Sequence, residues 1–475
     1  MTDPTTDALA AFRQLIDNAN SQGEAGQPVV LTDALVGPEL GVVLRRCGVP
    51  HEFDRPLLEV IGGWSTAEAE QHFLEFSELS IMQLAGDSLT VHERWRKPLW
   101  AWWLREEERE QFVALNESLT EWFRTKALAD GSETDQRRQM FHLVGCRQSE
   151  GVQMFEDLFR RARHRRSFSE CSLLIRLVNE YEPLLSAGEH AVVAYNEGKL
   201  ASDLREWQRA LDLFETVVDE SDADDETRVF ALVRRGHALR ALGRTDEALG
   251  VLEDAQRRSV SPRQAWRALY ELGELYRDLG EADRADRALR AALDEASKAG
   301  DGADVAGVLN SLGTVQLRLR DTEKAVDSFR KSLDELERSG DVVRPGAVLN
   351  NLGLAQIEQL DWCAAEASFS ASLEHKRAAG DQLGQAIALL NLSRAQSAQD
   401  KLLLAQESAA QAGDLYKAVD DARGEARAFL VQARLAKRDG QTEAARGLFQ
   451  QAAERAAAAG DAGIAGRARE ELEHL

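Results

Sequence analysis

Residues 309–332 read LNSLGTVQLRLRDTEKAVDSFRKS, and residues 349–372 read LNNLGLAQIEQLDWCAAEASFSAS. Leu309, Leu312, Gly313, Ala325, Phe329 and Ser332 of the first stretch return in register as Leu349, Leu352, Gly353, Ala365, Phe369 and Ser372 of the second. Working outward, the same Gly-to-Ala interval occurs at Gly198/Ala210, Gly236/Ala248 and Gly273/Ala285, and continues in altered form at Ser393/Ala405 and Ala433/Ala445. Successive anchors lie 37–40 residues apart, a period at which pairs of helices stack into a solenoid. The large residues seal neighbouring helices. Gly313 and Gly353 admit a close approach, while Ala325 and Ala365 keep the facing helix thin. Each pair buries its apolar face only against its neighbours, so such an array presents a surface and is not expected to enclose a reaction centre.

A second periodic signal falls between the pairs: Gly300-Asp301, Gly340-Asp341, Gly380-Asp381 and Gly460-Asp461, with Asp420-Asp421 at the intervening register. Glycine ends one helix at positive φ and aspartate accepts an orphan amide hydrogen bond as the next begins. Calcium binding is the competing reading. Carboxylates separated by whole repeats do not form the compact loop that calcium requires.

The 475 residues carry a formal net charge of −23, which disfavours general attraction to phosphate backbones or anionic membranes. An apolar run of the secretory kind is absent from the amino terminus, as is any stretch of about twenty uncharged apolar residues; a cytoplasmic protein with no membrane partner is expected. Cys47, Cys146, Cys171 and Cys363 form no CxxC pair, which predicts reduced thiols without structural zinc. The chain has no GxxxxGK[ST], HExxH or GxSxG signature, and its nine histidines do not cluster. Neither an enzyme activity nor a metal or cofactor is expected from these patterns.

Ahead of the repeats, Leu9–Ile16 has a short helical pattern and the run from Asn18 to Gln27 is polar, together suggesting a flexible leader over residues 1–34. Residues 35–106 pattern differently. Leu40, Val43 and Leu44 share a helix face, Phe53, Leu57, Leu58 and Val60 form a second apolar set, and Ser65 with Glu68 reads as a capping box for a helix carrying Ala69, Phe73 and Phe76. Strand-like Leu79–Leu84 and Ser88–Val91 flank Ala85-Gly86-Asp87, a hairpin turn. Helices followed by one hairpin predict a small winged-helix domain. Residues 107–190 read as a helical bridge with Leu119/Phe123, Phe155/Phe159 and Leu173/Leu174/Leu177 as packing positions, and residues 191–475 as the repeat array. The fold class is therefore predominantly α.

Leu44-Arg45-Arg46-Cys47-Gly48-Val49-Pro50, Phe53-Asp54 and Leu89-Thr90-Val91-His92-Glu93 resemble the winged-helix segment that follows the nucleotide-binding domain of bacterial signal-transduction ATPases. In those proteins tetratricopeptide-like sensor arrays often come next. The resemblance covers roughly residues 35–475 and includes no ATPase. It implies a protein or peptide recognition module acting as a sensor or adaptor in bacterial signalling, with a separate ATPase or effector protein among its partners.

The alternative is a DNA-binding transcriptional regulator. Against it, the presumed helix from Thr66 to Glu78 carries Glu68, Glu70, Glu75 and Glu78 with no lysine or arginine, and these carboxylates oppose phosphate approach. The dense basic run Arg160, Arg161, Arg163, His164, Arg165 and Arg166 can be satisfied by an acidic face of the same chain or by nucleic acid. It has no interleaved aromatic residues for base stacking. Trp95-Arg96-Lys97-Pro98 with Trp100, Trp102 and Trp103 offers cations and rings, but close aromatic spacing on a helix reads first as core packing.

The repeats themselves resemble tetratricopeptide repeats, with Leu309/Leu349, Leu312/Leu352, Gly313/Gly353, Ala325/Ala365 and Phe329/Phe369 at the packing positions. Gln316 and Gln356 stand where an aromatic is often found in the first helix. The resemblance makes Asn310, Thr314, Asn350 and Leu354 inner-groove positions, and Asn351 and Asn391 polar selectors at the adjacent register. An amide offers both donor and acceptor to a peptide backbone. Helix–helix hydrogen bonding is the other use for the same amides. The basic set that would clamp a terminal carboxylate is incomplete here.

Overall fold

A computed structural model describes residues 23–220, 224–342 and 344–475; the helical pattern Leu9–Ile16 lies outside the described residues. The chain divides into two compact units, residues 1–234 and 235–475.

The first unit opens with α1 (Gly23–Val36), α2 (Pro38–Arg46), α3 (Arg55–Gly62) and α4 (Thr66–Ser77), then the antiparallel strands β1 (Met82–Ala85) and β2 (Ser88–Val91), then α5 (Glu93–Trp103). Asp54 caps α3 by accepting from the Leu57 amide at 2.8 Å, and the Ser65/Glu68 capping box starts α4 as its sequence pattern requires. The hairpin turns at Gly86, whose φ of 62° is left-handed. Phe53 exchanges two backbone hydrogen bonds with Leu89, at 2.9 and 2.8 Å, so the hairpin is tied to the segment ahead of α3, an arrangement consistent with a wing. The first strand starts later than the apolar run suggested: Leu79 closes α4 and Ile81 turns into the core, 1% exposed.

The tryptophans are packing residues. Trp102 and Trp103 are buried, Trp103 Nε1 donates to Arg45 O at 2.9 Å, and Trp100 Nε1 donates to Glu180 O at 3.0 Å. The segment from Gly23, read in the sequence as the end of a flexible leader, is helical and held down. Arg45 Nη1 reaches both Thr32 Oγ1 and Asp33 Oδ1 at 2.6 Å. Only the fold brings that arginine to α1.

The unit continues through α6 (Arg109–Asp130), α7 (Glu133–Cys146), α8 (Gln148–His164), α9 (Phe168–Asn179), α10 (Ala187–Asp203) and α11 (Trp207–Asp219), and the unit boundary falls inside α12 (Asp225–Ala241). Four of the six cations in the basic run Arg160–Arg166 are engaged within the unit. Arg163 forms a two-point pair with Asp203, at 2.5 and 2.9 Å, Arg165 pairs with Glu133, Arg160 with Asp157 at 3.2 Å, and Arg161 donates to Gln136 at 2.9 Å.

After α13 (Thr245–Arg258), the second unit is built from the helix pairs α14 (Pro262–Asp278) with α15 (Ala282–Ala299), α16 (Gly302–Arg318) with α17 (Thr322–Ser339), α18 (Pro345–Glu358) with α19 (Trp362–Ala378), α20 (Gln382–Ala398) with α21 (Leu402–Ala418), and α22 (Ala422–Arg438) with α23 (Thr442–Ala458). A final helix, α24 (Ala462–Glu473), covers the last pair. The fold is a predominantly α-helical solenoid. Gly300, Gly340, Gly380 and Gly460 take left-handed φ of 81°, 69°, 66° and 69°, and Asp420 takes 55° at the equivalent place. Asp301, Asp381, Asp421 and Asp461 cap the helices that follow by accepting backbone amides. Capping accounts for these carboxylates.

The regular anchors are packed in a particular way. Ala210, Ala248, Ala285, Ala325 and Ala365 are fully buried, but a Cβ at each glycine would meet a side chain one turn beyond the alanine. It would lie 2.6 Å from Phe214 at Gly198, 2.4 Å from Leu252 at Gly236, 2.6 Å from Leu289 at Gly273, 2.7 Å from Phe329 at Gly313 and 2.6 Å from Phe369 at Gly353. A large apolar side chain of the second helix therefore fills the place of the missing Cβ. Where Ser393 replaces the glycine, the corresponding position holds Ala409, and Ser393 Oγ donates to Ala405 O at 2.8 Å.

Gln316 and Gln356, buried where such repeats often carry an aromatic, and Gln396 at the same position of the next pair each accept a hydroxyl from the second helix: Ser328 at 2.8 Å, Ser368 at 2.7 Å and Ser408 at 2.9 Å. Ser332 and Ser372 donate to Ala306 O and Gly346 O at 2.7 and 2.6 Å. These bonds satisfy polar groups that would otherwise be costly to bury.

The turn between paired helices also reaches earlier than the Gly/Ala pattern. In α16/α17 the Asp321 amide bonds to Gln316 O at 2.9 Å with Arg320 at φ 61°, and in α8/α9 the Ser167 amide bonds to Ala162 O at 2.9 Å with Arg166 at φ 58°. The α8/α9 pair hides from the repeat signature because Phe159 stands at the glycine position and Ile175 at the position of Phe329; the bulk has moved from the second helix to the first.

Candidate functional site

The first helices of the pairs in the second unit are joined by a polar ladder. Tyr270 on α14 and Ser311 on α16 share a hydrogen bond of 3.3 Å. Asn351 Nδ2 on α18 donates to Asn310 Oδ1 on α16 at 3.0 Å, and Asn391 Nδ2 on α20 donates to Asn350 Oδ1 on α18 at 2.9 Å. Each rung joins residues 41 apart, one repeat plus one position. The structure thus brings Asn310, Asn350, Asn351 and Asn391 together as two linked pairs. All four are half-buried.

Each of the two asparagine rungs uses one end of each amide. Asn310 and Asn350 act as acceptors and keep Nδ2, whereas Asn351 and Asn391 act as donors and keep Oδ1. Thr314 turns its hydroxyl back onto Asn310 O at 3.0 Å, so it is engaged with its own helix. Leu354 packs beside Ile357 and Trp362 and is half-buried.

The chemistry changes along this row of helices. Towards α12 it is charged: His237 Nδ1 lies 3.1 Å from Glu271, Arg240 binds Asp278 at 2.7 Å, and Arg277 binds Glu274 at 2.7 Å. Burial raises the Glu274 carboxyl above its ordinary value despite Arg277, and burial also pushes the Tyr270 hydroxyl up to about 12. Towards the carboxyl end it becomes apolar, with Leu383 and Ile387 of α20 both exposed, at 44% and 40%, and Arg394 of the same helix exposed. The sequence reading passed over these two apolar side chains. Their four-residue spacing beside Asn391 was the available signal. Neighbouring repeats are also clamped by arginine: Arg318 Nη1 donates to Arg277 O at 2.6 Å, near the end of α14.

Among the described residues no cluster of three or more His, Cys, Asp or Glu could hold a metal ion, and no single helix is long and apolar enough to cross a bilayer. Cys47 and Cys171 are buried, Cys363 is exposed, and all four cysteines are free.

Residues 265–337 match the family model of the tetratricopeptide repeat. No match is found among curated proteins. Among solved structures, the chain is similar to a Signal Transduction ATPase with Numerous Domains protein with a tetratricopeptide repeat sensor from Pyrococcus horikoshii, at 13% identity and a TM-score of 0.56. That similarity covers 94% of this chain and 65% of the other. It is also similar to aspartyl phosphate phosphatase F from Bacillus subtilis, at 13% identity and a TM-score of 0.48 over 75% of this chain and 91% of that one, and to BtubC from P. vanneervenii, at 19% identity and 0.41 over 46% and 91%. At such identities the likeness is one of fold: a tetratricopeptide-type helical scaffold.

Proposed function

We propose that the second unit recognises an extended segment of a protein or peptide, and that the chain acts as a sensor or adaptor in bacterial signalling, in the cytoplasm. The amide ladder carries this reading. Its rungs fix the orientation of Asn310, Asn350, Asn351 and Asn391 while leaving donors on one side of each rung and acceptors on the other. An extended backbone offers the complementary pattern, and a pre-oriented amide loses little freedom on binding. The amino-terminal helices and hairpin, a winged-helix element in this reading, pass the binding event to an ATPase or effector on another chain. The basic run, with Arg160, Arg163 and Arg165 paired to carboxylates of the same unit, favours this reading over DNA binding.

The test separates ladder from ligand. Asn350→Asp and Asn310→Asp retain the oxygen that accepts from Asn391 and Asn351 but replace the free Nδ2 donor with a second oxygen. Peptides are selected from a displayed random library on the full chain, and their affinity is then measured on both variants. Affinity reduced about tenfold with an unchanged unfolding midpoint is expected. Selected peptides that bind the variants as well as the parent, or a library that yields none, would overturn the reading.

A further inference from the structure

The first unit holds a cavity of about 740 Å³, lined by residues of the segment after α2, of α6 and α7, and of α9 with its carboxyl-terminal flank. This is within the size range of small-molecule sites. Phe123, Phe141, Leu173 and Leu177 supply an apolar wall, and His142, 1% exposed, reaches it edge-on to Phe141 and stacked on Phe123.

The charges around the cavity do not cancel. Its two carboxylates are occupied: Glu52 by Arg138, and Glu180 by His51 at 2.7 Å and Arg96 at 2.8 Å. Arg137 is held by Glu170 at 2.8 Å. Arg176 also lines the cavity, and among the described residues its guanidinium has neither an ion pair nor a hydrogen bond. One uncompensated cation therefore faces an apolar chamber. His142 adds a directional group: Asn116 Oδ1 fixes its Nδ1 at 2.9 Å as the donor, so Nε2 is left as an acceptor.

We propose that this cavity binds a small organic anion, a carboxylate or phosphate carried on an apolar body. The anionic group sits on Arg176 and the body lies against Phe123, Phe141, Leu173 and Leu177.

The full chain is titrated with two fluorescent probes that differ only by one sulfonate group, 8-anilinonaphthalene-1-sulfonate and the uncharged N-phenyl-1-naphthylamine. Preference for the sulfonate by about tenfold is expected, and Arg176→Gln should abolish it, the consequence of losing one charge-assisted contact. Arg176 is exposed, so this variant leaves the packing intact. Leu173→Trp fills the chamber and should remove both probes, with circular dichroism checking that the fold persists. Equal binding of the two probes, or a sulfonate affinity untouched by Arg176→Gln, would overturn the proposal. Displacement by dodecanoate, by dodecyl phosphate or by both supports it and tells the two head groups apart; displacement by neither overturns it.

Discussion

The crossing of α18 and α19 offers a sharp test of how the repeats are built. A Cβ on Gly353 would lie 2.6 Å from Phe369 Cε1 and 2.8 Å from Cδ1 and Cζ, about 1 Å inside ordinary carbon–carbon contact. Phe369 is fully buried, so the ring has little room to retreat. Overpacking of this kind costs about 1–3 kcal/mol. Gly353→Ala should fall near 1 kcal/mol, because Ala433 and Phe449 occupy the same two positions of the last pair, and Gly353→Ser near 2 kcal/mol. Phe369→Ala alone opens a cavity worth about 3–5 kcal/mol. Gly353→Ser combined with Phe369→Ala recreates the arrangement at Ser393 and Ala409, where the hydroxyl reaches the carbonyl of Ala405. The double variant should therefore be more stable than the sum of the singles predicts, by about 2 kcal/mol. Long arrays need not unfold in one step, so the cycle is read from hydrogen exchange of the amides of α18 and α19. Additivity within about 0.5 kcal/mol would show that glycine and ring are not a coupled pair, and the packing argument would fail.

Other consequences follow at single sites. Ser368→Ala strands the buried Gln356 oxygen and should cost about 1–3 kcal/mol, whereas Gln356→Leu with Ser368→Ala should be nearly neutral; equal costs in denaturant would contradict this. Burial, reinforced by His51, Arg96 and Arg138, holds the His142 imidazole well below its ordinary value. The unfolded chain then binds more protons below about pH 6.5, so the first unit should lose stability as pH falls from there to about 5, and His142→Gln should remove that slope. Burial, reinforced by Arg163 and Arg234, brings Lys199 down to about 7. Stability contributed at this site should rise with pH from about 7 towards 10.5, the ordinary value of a lysine, and Lys199→Met should stabilise the chain by about 1–3 kcal/mol at pH 6. A variant no more stable than its parent at that pH would refute the assignment.

The solenoid was legible because its determinants are local and repeated. Gly313 to Ala325 and Gly353 to Ala365 recur at fixed spacing, and the Gly-Asp turns depend on the backbone of two adjacent residues. The partner of each glycine was less visible: leucine serves at 252 and 289 and phenylalanine at 214, 329 and 369, so no single letter repeats there. The α8/α9 pair was missed for the same reason, since Phe159 and Ile175 keep the combined volume but exchange its location. The asparagines were found, yet their pairing was not, because a rung joins residues one position out of register between repeats. The cavity left no local trace. Its wall combines residues 50–52, Phe123, five positions on α7 and five from the α9 region, and the basic run that the sequence advertises, Arg160–Arg166, makes no part of it.

That contrast bears on where ligands should be sought. Arg163 and Arg165 are conspicuous in the sequence and neutralised in the fold by Asp203 and Glu133, while Arg176 is an isolated residue in an otherwise apolar stretch, LLIRLV, and is unmatched among the described residues. A charge that folding has paired costs free energy to detach, since its partner would be left alone. A charge left unmatched beside an apolar wall is available to a ligand without that cost. The same reasoning applies in the second unit. Glu271 and Asp278 already hold His237 and Arg240, whereas the remaining amide groups of Asn310, Asn350, Asn351 and Asn391 are held in place by their neighbours and still open to a partner. Recognition is therefore expected where folding has fixed a polar group's direction without using all of its bonding capacity.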